Sequence, residues 1–269
     1  MLWLDGTALA AEARPDRGLE FGDGLFETIA VVDGRPRLLE RHLARLAHGC
    51  ARLGIAAPAA GPLRAELEAA ARTPGTGLLK LIVTRGAGGT GYAADAALAP
   101  RRWLAAWPAR PRPAAAAGEG VVLRELAVRL AEQPLLAGLK HLNRLEQVLA
   151  RRELAAGAPA AEGLMLDVQG RPVCGTMSNV FAVLDNRLVT PSLERCGVAG
   201  VMRAALIDAW RAAGIAVEVR DVARAELEAA SELFLSNALI GVWPVAALGG
   251  RRFAAGPYAR QAQAWAEAF

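Results

Sequence analysis

Few residue types in this chain can do amine chemistry. Lysine and arginine together number 31 in 269 residues, yet lysine occurs only at Lys80 and Lys140. A guanidinium stays protonated and makes no bond to carbon. A lysine amine, desolvated or set near another cation, loses its proton and can then attack a carbonyl or take up a proton. A lysine retained where arginine is otherwise the rule is therefore a candidate for that chemistry. Lys80 lies within the run "LLKLIVTRG", where packing of its stem is the simpler reading. Lys140 follows "LLAGL" and precedes "HLNRLEQVLARRE", whose leucines at 142, 145, 149 and 154 predict a helix over 141–156 with a buried stripe. The amine is thereby placed at a helix start, where backbone N–H groups lack acceptors.

Other chemistries find less support. Cys50, Cys174 and Cys196 are odd in number and widely spaced, with no CxxC or HxxxH companion, which argues against a disulfide framework and against a zinc or other metal site. The net charge is +4, but the arginines are scattered and form no basic run, so no nucleic-acid partner is expected. The opening "MLWLDGTALA" has no basic leader followed by an apolar core, and no run of 18 apolar residues occurs. A cytoplasmic protein without a membrane partner is the expectation.

The elements that must position these residues read as an α/β or α+β chain in two domains. "LFETIAVVDGRPRLLE" predicts a hairpin turning at Asp33-Gly34. The leucines at 39, 43, 46 and 53 predict a helix that leaves Arg41, Arg45 and Arg52 on other faces, and a second helix is expected over 62–72. "LLKLIVTRG" and "RRWLAAWPA" read as strands joined by the glycine-rich "RGAGGTGYAAD". The Pro- and Ala-rich stretch 110–120 reads as a linker, dividing a small N-terminal α/β domain (1–112) from a larger C-terminal domain (113–269). In the latter, strands are expected at "VVLREL", "GLMLDVQG", "IAVEVRD" and "ELFLSN", with a hairpin through Asp185-Asn186. Helices are expected over 200–213, ending at Gly214, and from about Pro257.

Seven segments, "RGLEFGDGLFETI", "ERHLARL", "RGAGGTGY", "GLKHLNRLEQVLARRE", "GTMSNVF", "GVAGVMR" and "SNALIGVWPV", occur in the order seen in fold-type IV pyridoxal-phosphate enzymes. The set resembles the aminodeoxychorismate lyases of that family, and the resemblance runs from Arg17 to Val245. It implies a two-domain homodimer whose larger domain has a barrel-like sheet. It also implies a reaction that converts 4-amino-4-deoxychorismate to 4-aminobenzoate and pyruvate, a step in folate biosynthesis. Lys140 is then the amine that joins covalently to pyridoxal 5′-phosphate and serves as base. By the same resemblance Arg45, the amides of Val201 and Met202, and the side chains of Ser236 and Asn237 bind the cofactor, chiefly at its phosphate. Glu27, Arg85, Tyr92 and Asn143 are carried over as substrate-side candidates. For Asn143 helical geometry adds an argument, since it lies three residues past Lys140 in the expected first turn; Arg144 reads as helix-surface solvation.

Two departures from the family pattern matter. The position five residues before the asparagine of "VCGTMSNVF" carries a glutamate in that family, facing the cofactor's pyridine nitrogen; here it is Cys174, a neutral and weak hydrogen-bonding group. Either the chain works with a less electron-withdrawing cofactor, or its activity is low, or a nearby acid stands in. Thr90 stands where some relatives have an arginine. The alternative reactions are transamination of branched-chain or D-amino acids; the alternative outside enzymes is a cofactor-free binding module.

Overall fold

The computed structural model describes residues 15–95, 98–109 and 115–269, together with the backbone of Trp3–Leu4 and Thr7–Ala8. Most of the N-terminal decapeptide and residues 110–114 of the expected linker lie outside the described residues. The chain forms two compact units: Met1–Pro108 with Lys140–Asn143, and Ala109–Leu139 with Arg144–Phe269. The division is thus discontinuous, and Lys140 belongs with the N-terminal unit.

That unit runs β1 (Trp3–Leu4), β2 (Thr7–Ala8), α1 (Arg17–Phe21), β3 (Gly24–Val32), β4 (Arg35–Pro36), α2 (Leu39–Leu53), α3 (Ala60–Ala71), β5 (Gly77–Thr84) and β6 (Arg101–Pro108). β4, β3, β5 and β6 form an antiparallel sheet in that order. Asp33 and Gly34 both take positive φ, as a two-residue hairpin turn requires. Alternation along β3 and β5 turns Leu25, Glu27, Ile29 and Val31, with Leu79, Leu81 and Val83, onto one buried face. α2 and α3 cover it with Leu43, Leu46, Leu63 and Leu67. The opposite face carries Phe26, Thr28, Lys80 and Ile82, with Trp103 and Trp107 half-exposed at its β6 side.

The edge of β3 that β4 leaves open is taken by the segment around Lys140. Phe26 N donates to Lys140 O at 3.0 Å, Leu142 N donates to Gly24 O at 3.0 Å, and His141 bridges to Leu25. This pairing corrects the expected helix over 141–156. Residues 140–142 are drawn out alongside β3 through an isolated bridge, and the helix starts only at Leu145. The expected stripe fails in part with it: Leu145 is 75% exposed and Leu149 42%, while Leu154 is buried as expected, together with Ala150.

The larger unit runs α4 (Ala115–Gly118), β7 (Val121–Leu130), α5 (Leu145–Ala156), β8 (Glu162–Asp167), β9 (Pro172–Gly175), β10 (Asn179–Leu184), β11 (Arg187–Pro191), α6 (Val201–Ala212), β12 (Val217–Arg220), α7 (Arg224–Ala229), β13 (Glu232–Asn237), β14 (Gly241–Leu248), β15 (Arg251–Arg252) and α8 (Pro257–Ala268). Its mixed sheet follows the order β12-β11-β10-β13-β14-β7-β8-β9, with β15 on β14. β9, at one end, also lies against β10 and β11, so the sheet curls back on itself. Leu123, Leu164, Val180, Leu233, Leu235 and Val245 fill one side of the curl. Leu126, Leu130, Met165, Val173, Cys174 and Cys196 pack on the other side with Ala150 and Leu154 of α5. β8 is buried throughout, as a strand covered on both faces must be. The Asp185-Asn186 hairpin forms as expected, and α6 ends ahead of Gly214 in the left-handed conformation.

Candidate active site

In the N-terminal unit the amine of Lys140 sits over the ring of Phe26, with Nζ 4.1 Å from the centroid. The amine of Lys80 lies at the same distance from the same ring. Twice that distance is the most that can separate the two amines. Lys80 reaches this position because β-pairing sets it opposite Thr28, on the face that Phe26 shares. Burial lowers its pKa below the usual lysine value, and among the described residues its ammonium has no hydrogen-bond or ion-pair partner. The packing role expected for Lys80 was thus incomplete: both lysines of the chain present their amines to one aromatic ring.

Behind that sheet Glu27 is only 2% exposed and faces α2, not water. Its carboxylate accepts from Arg45 Nε at 2.8 Å, from Arg45 Nη2, and from His42 Nδ1 at 2.6 Å. Burial alone would raise the Glu27 carboxyl. The charge of Arg45 and the hydrogen bonds from His42 and Arg45 outweigh it and bring the pKa from 4.5 down to about 2. Burial pushes His42 below its ordinary 6.5 despite the pull of Glu27, and the charges of Arg45 and Lys140 add to the fall. Arg45 is therefore neither free on the helix surface nor solvated; one edge of its guanidinium is forked onto a buried acid. Nothing in the sequence reading singled out His42, although its i, i+3 spacing to Arg45 was the available signal.

The remaining candidates of this unit are held by protein groups. Arg85 donates from Nε and Nη2 to Asp23, at 2.7 and 3.0 Å, and from Nη1 and Nη2 to the carbonyls of Gly54 and Leu53 that end α2. All three of its nitrogens have protein partners, so it acts as a strut between loop and helix. Tyr92 is 89% exposed, and its ring meets Phe21 edge-on. The loop that carries it is organised by Arg17, a buried residue without an assigned role in the sequence reading, which donates to the carbonyls of Gly91 and Tyr92 at 3.0 and 2.9 Å and to Asp23. Asn143 lies in no helix; its Nδ2 donates to Gly22 O at 3.2 Å.

In the larger unit the turn before α6 forms a second cluster. Gly138, two residues short of Lys140 along the chain, donates to Gly197 O and accepts from Ala199 N. Asn179 Nδ2 donates to Val198 O at 3.0 Å, and a Cβ on Gly200 would come within 2.1 Å of Asn179 Oδ1, so a larger residue there would displace the Asn179 amide. Asn179 pairs across the sheet with Ser236, which is fully buried and whose Oγ has no partner. No side chain caps α6, leaving the amides of Val201 and Met202 at an open helix N-terminus. A buried hydroxyl without a partner and an uncapped helix start in one neighbourhood are what an anion such as a phosphate requires. Asn237 differs from expectation: its Oδ1 accepts from Leu239 N and Ile240 N, and its Nδ2 donates to Met177 O, so it builds the β13–β14 turn.

Cys174 is buried on β9, and burial pushes its thiol far above the ordinary value, so it is neutral. The acids whose field it feels are Glu162, fully buried on β8, and more weakly Glu146 on α5, which accepts from Ala131 N. The Glu162 carboxylate cannot stand in for the missing one. It accepts from Gly163 N, Thr176 N, Thr176 Oγ1, Met177 N and Ser178 Oγ, which fills both oxygens and ties down the 176–178 loop. An acid heading the otherwise apolar run "GLML" was the sequence signal for it. Arg144, just ahead of α5, is not on a solvated surface; burial lowers its pKa. Among the described residues no three His, Cys, Asp or Glu side chains converge as metal ligands, and no helix is long and apolar enough to cross a membrane.

A curled mixed sheet in one unit, a four-stranded sheet in the other and a lysine on the returning segment define the class: two-unit α+β enzymes built for amine chemistry. The chain belongs to the amino-transferase class IV family, whose pattern matches residues 24–248. The aminodeoxychorismate lyase of Vibrio harveyi is 33% identical over 248 residues, 92% of this chain and 91% of that one. The crystal structure of 4-amino-4-deoxychorismate lyase from Pseudomonas aeruginosa superposes with a TM-score of 0.90 at 53% identity, covering 98% of this chain and 97% of that one. A hypothetical aminotransferase from Mycobacterium tuberculosis in its PLP-bound form is 27% identical, with a TM-score of 0.80 over 99% and 94% of the two chains.

Proposed function

We propose that the chain is an aminodeoxychorismate lyase, releasing 4-aminobenzoate and pyruvate from 4-amino-4-deoxychorismate in folate biosynthesis. The observation that carries this reading is the whole-length likeness to the Pseudomonas lyase, at 53% identity. Pyridoxal 5′-phosphate is the cofactor in this reading, and the residues present suit it. Lys140 is the amine for its aldehyde; Ser236 Oγ, the amides of Val201 and Met202 and the Arg45 guanidinium take its phosphate. When bound, the cofactor draws electrons from the substrate carbon that bears nitrogen.

Lys140 removes the proton from that ring carbon and returns a proton to the methylene of the departing enolpyruvyl group, which leaves as pyruvate. The ring of Phe26 holds the Lys140 amine beside it, with Nζ 4.1 Å from the centroid. Lys80 offers an ammonium to a substrate carboxylate on the same sheet face, whereas four of the five N–H donors of Arg85 are committed to Asp23 and the end of α2. The neutral thiol at Cys174 weighs against the transaminase reading, since transamination needs strong electron withdrawal twice per cycle while elimination is drawn forward by forming an aromatic ring. The chain works as a cytoplasmic homodimer in this reading. Its three cysteines are free thiols, and the exposed Leu145, Val148 and Leu149 on α5 make an apolar face that a second copy would cover.

The test is 4-aminobenzoate release from 4-amino-4-deoxychorismate by wild type and by Lys140→Ala. Loss of about a thousandfold or more in the variant is expected. Equal rates would remove Lys140 from the chemistry.

A further inference from the structure

The buried cluster behind β3 has more order than an ion pair needs. Glu27 takes the Nε–Nη2 edge of Arg45 side-on and, on the same carboxylate, the Nδ1–H of His42. Because Glu27 is ionised, Nδ1 must be the donor. His42 is neutral, so its Nε2 is a bare lone pair, buried and without a hydrogen-bond partner. That arrangement is tolerable for a neutral ring and costly for an imidazolium, whose second N–H would be buried unmet. The cluster therefore holds one cation and one anion, and its net charge is zero. An arginine on a helix normally samples many rotamers. Here the fork fixes the plane of the guanidinium, and His42 fixes the carboxylate that fixes the fork.

We infer that Glu27 and His42 are positioning residues for Arg45, aiming its guanidinium at the phosphate of the cofactor at the expense of the net positive charge that would attract it. This rests on the reading that Arg45 meets that phosphate. Orientation and charge make opposite predictions when Glu27 loses its charge. Glu27→Gln leaves the shape and raises the local net charge from zero to one positive. If attraction alone mattered, phosphate would bind better; if aim matters, it binds worse.

The experiment titrates cofactor-free protein with pyridoxal 5′-phosphate and, separately, with pyridoxal, following the absorbance of the lysine-bound form. The ratio of the two dissociation constants reads the phosphate alone, so general damage to the fold, which weakens both ligands, cancels. Wild type is expected to prefer the phosphorylated form, and Glu27→Gln to lower that preference roughly tenfold or more. His42→Asn, whose amide still donates to Glu27, should retain more of it than His42→Leu. A Glu27→Gln protein with unchanged or increased preference overturns the inference. Should that variant not fold, His42→Leu leaves both charges in place and decides the matter: a reduced preference supports the inference, an unchanged one overturns it. A wild type with no preference withdraws the phosphate role of Arg45 and the inference with it. Absence of 4-aminobenzoate release would instead sink the lyase reading and leave this ratio measurable.

Discussion

Glu27 and Glu162 are both buried glutamates on strands, one in each unit, and they are satisfied in opposite ways. Glu27 is met by a guanidinium and an imidazole, partners that lie three residues apart on α2. Glu162 is met by backbone amides and hydroxyls from residues 176–178 and its own neighbour, with the half-exposed Arg151 guanidinium 3.8 Å away and not hydrogen-bonded to it. A buried carboxylate held by charged side chains can pass orientation to one of them. A carboxylate hydrogen-bonded by neutral amides and hydroxyls chiefly determines the path of the chain. The first is suited to aiming a cation, the second to shaping a loop, and burial by itself distinguishes neither.

The sharpest way to break this comparison is Glu162→Ala. It would leave the amides of Thr176 and Met177 and two hydroxyls buried without an acceptor, and we expect a loss of about 3 kcal/mol or more in urea unfolding. A loss well under 1 kcal/mol would mean that the 176–178 loop holds itself. Cys174→Glu adds a third buried carboxylate, in a place where the structure supplies no set of donors for it. Cofactor-free protein should lose about 2 kcal/mol, and pyridoxal phosphate should restore part of it while raising transamination of amino acids. If both the cofactor spectrum and turnover stay unchanged, Cys174 does not face the cofactor ring.

The smallest effect expected is one of pH. Glu27 has its carboxyl pKa lowered from 4.5 to about 2 in the folded state, so its stabilising contribution is fully present above pH 4.5 and is lost as pH falls toward 2. His42, lowered below 6.5, acts in the same direction: the unfolded chain takes its proton first, so acid favours unfolding. Thermal melts of wild type and Glu27→Gln should converge as pH drops from 4.5. Parallel curves over that range would show that Glu27 carries no such linkage.

Much of the scaffold was legible because the signals for it are local. The Asp33-Gly34 and Asp185-Asn186 turns, the leucine spacing of α2 and the stop at Gly214 each rest on what one short segment can do by itself. Where the reading failed, a distant partner had intervened. Residues 140–142 have helical spacing, but β3 offered a vacant edge, and Asn143 was turned to Gly22. Arg85 and Asn237 looked like ligand-binding residues by family pattern, yet each closes a turn or a helix end. Lys80 looked like packing, and strand register carried it to Phe26.

The amino-acid sequence by itself determined which groups could react: two amines among many guanidiniums, a thiol in place of an acid, a glycine where a helix begins. Those are properties of covalent structure and need no neighbours. Only the tertiary structure decided which of these groups are held by protein partners and which keep an open hydrogen-bonding position. Hydrogen bonding and desolvation depend on what lies within a few ångströms in space, and in this protein those neighbours come from strands and helices far apart along the chain.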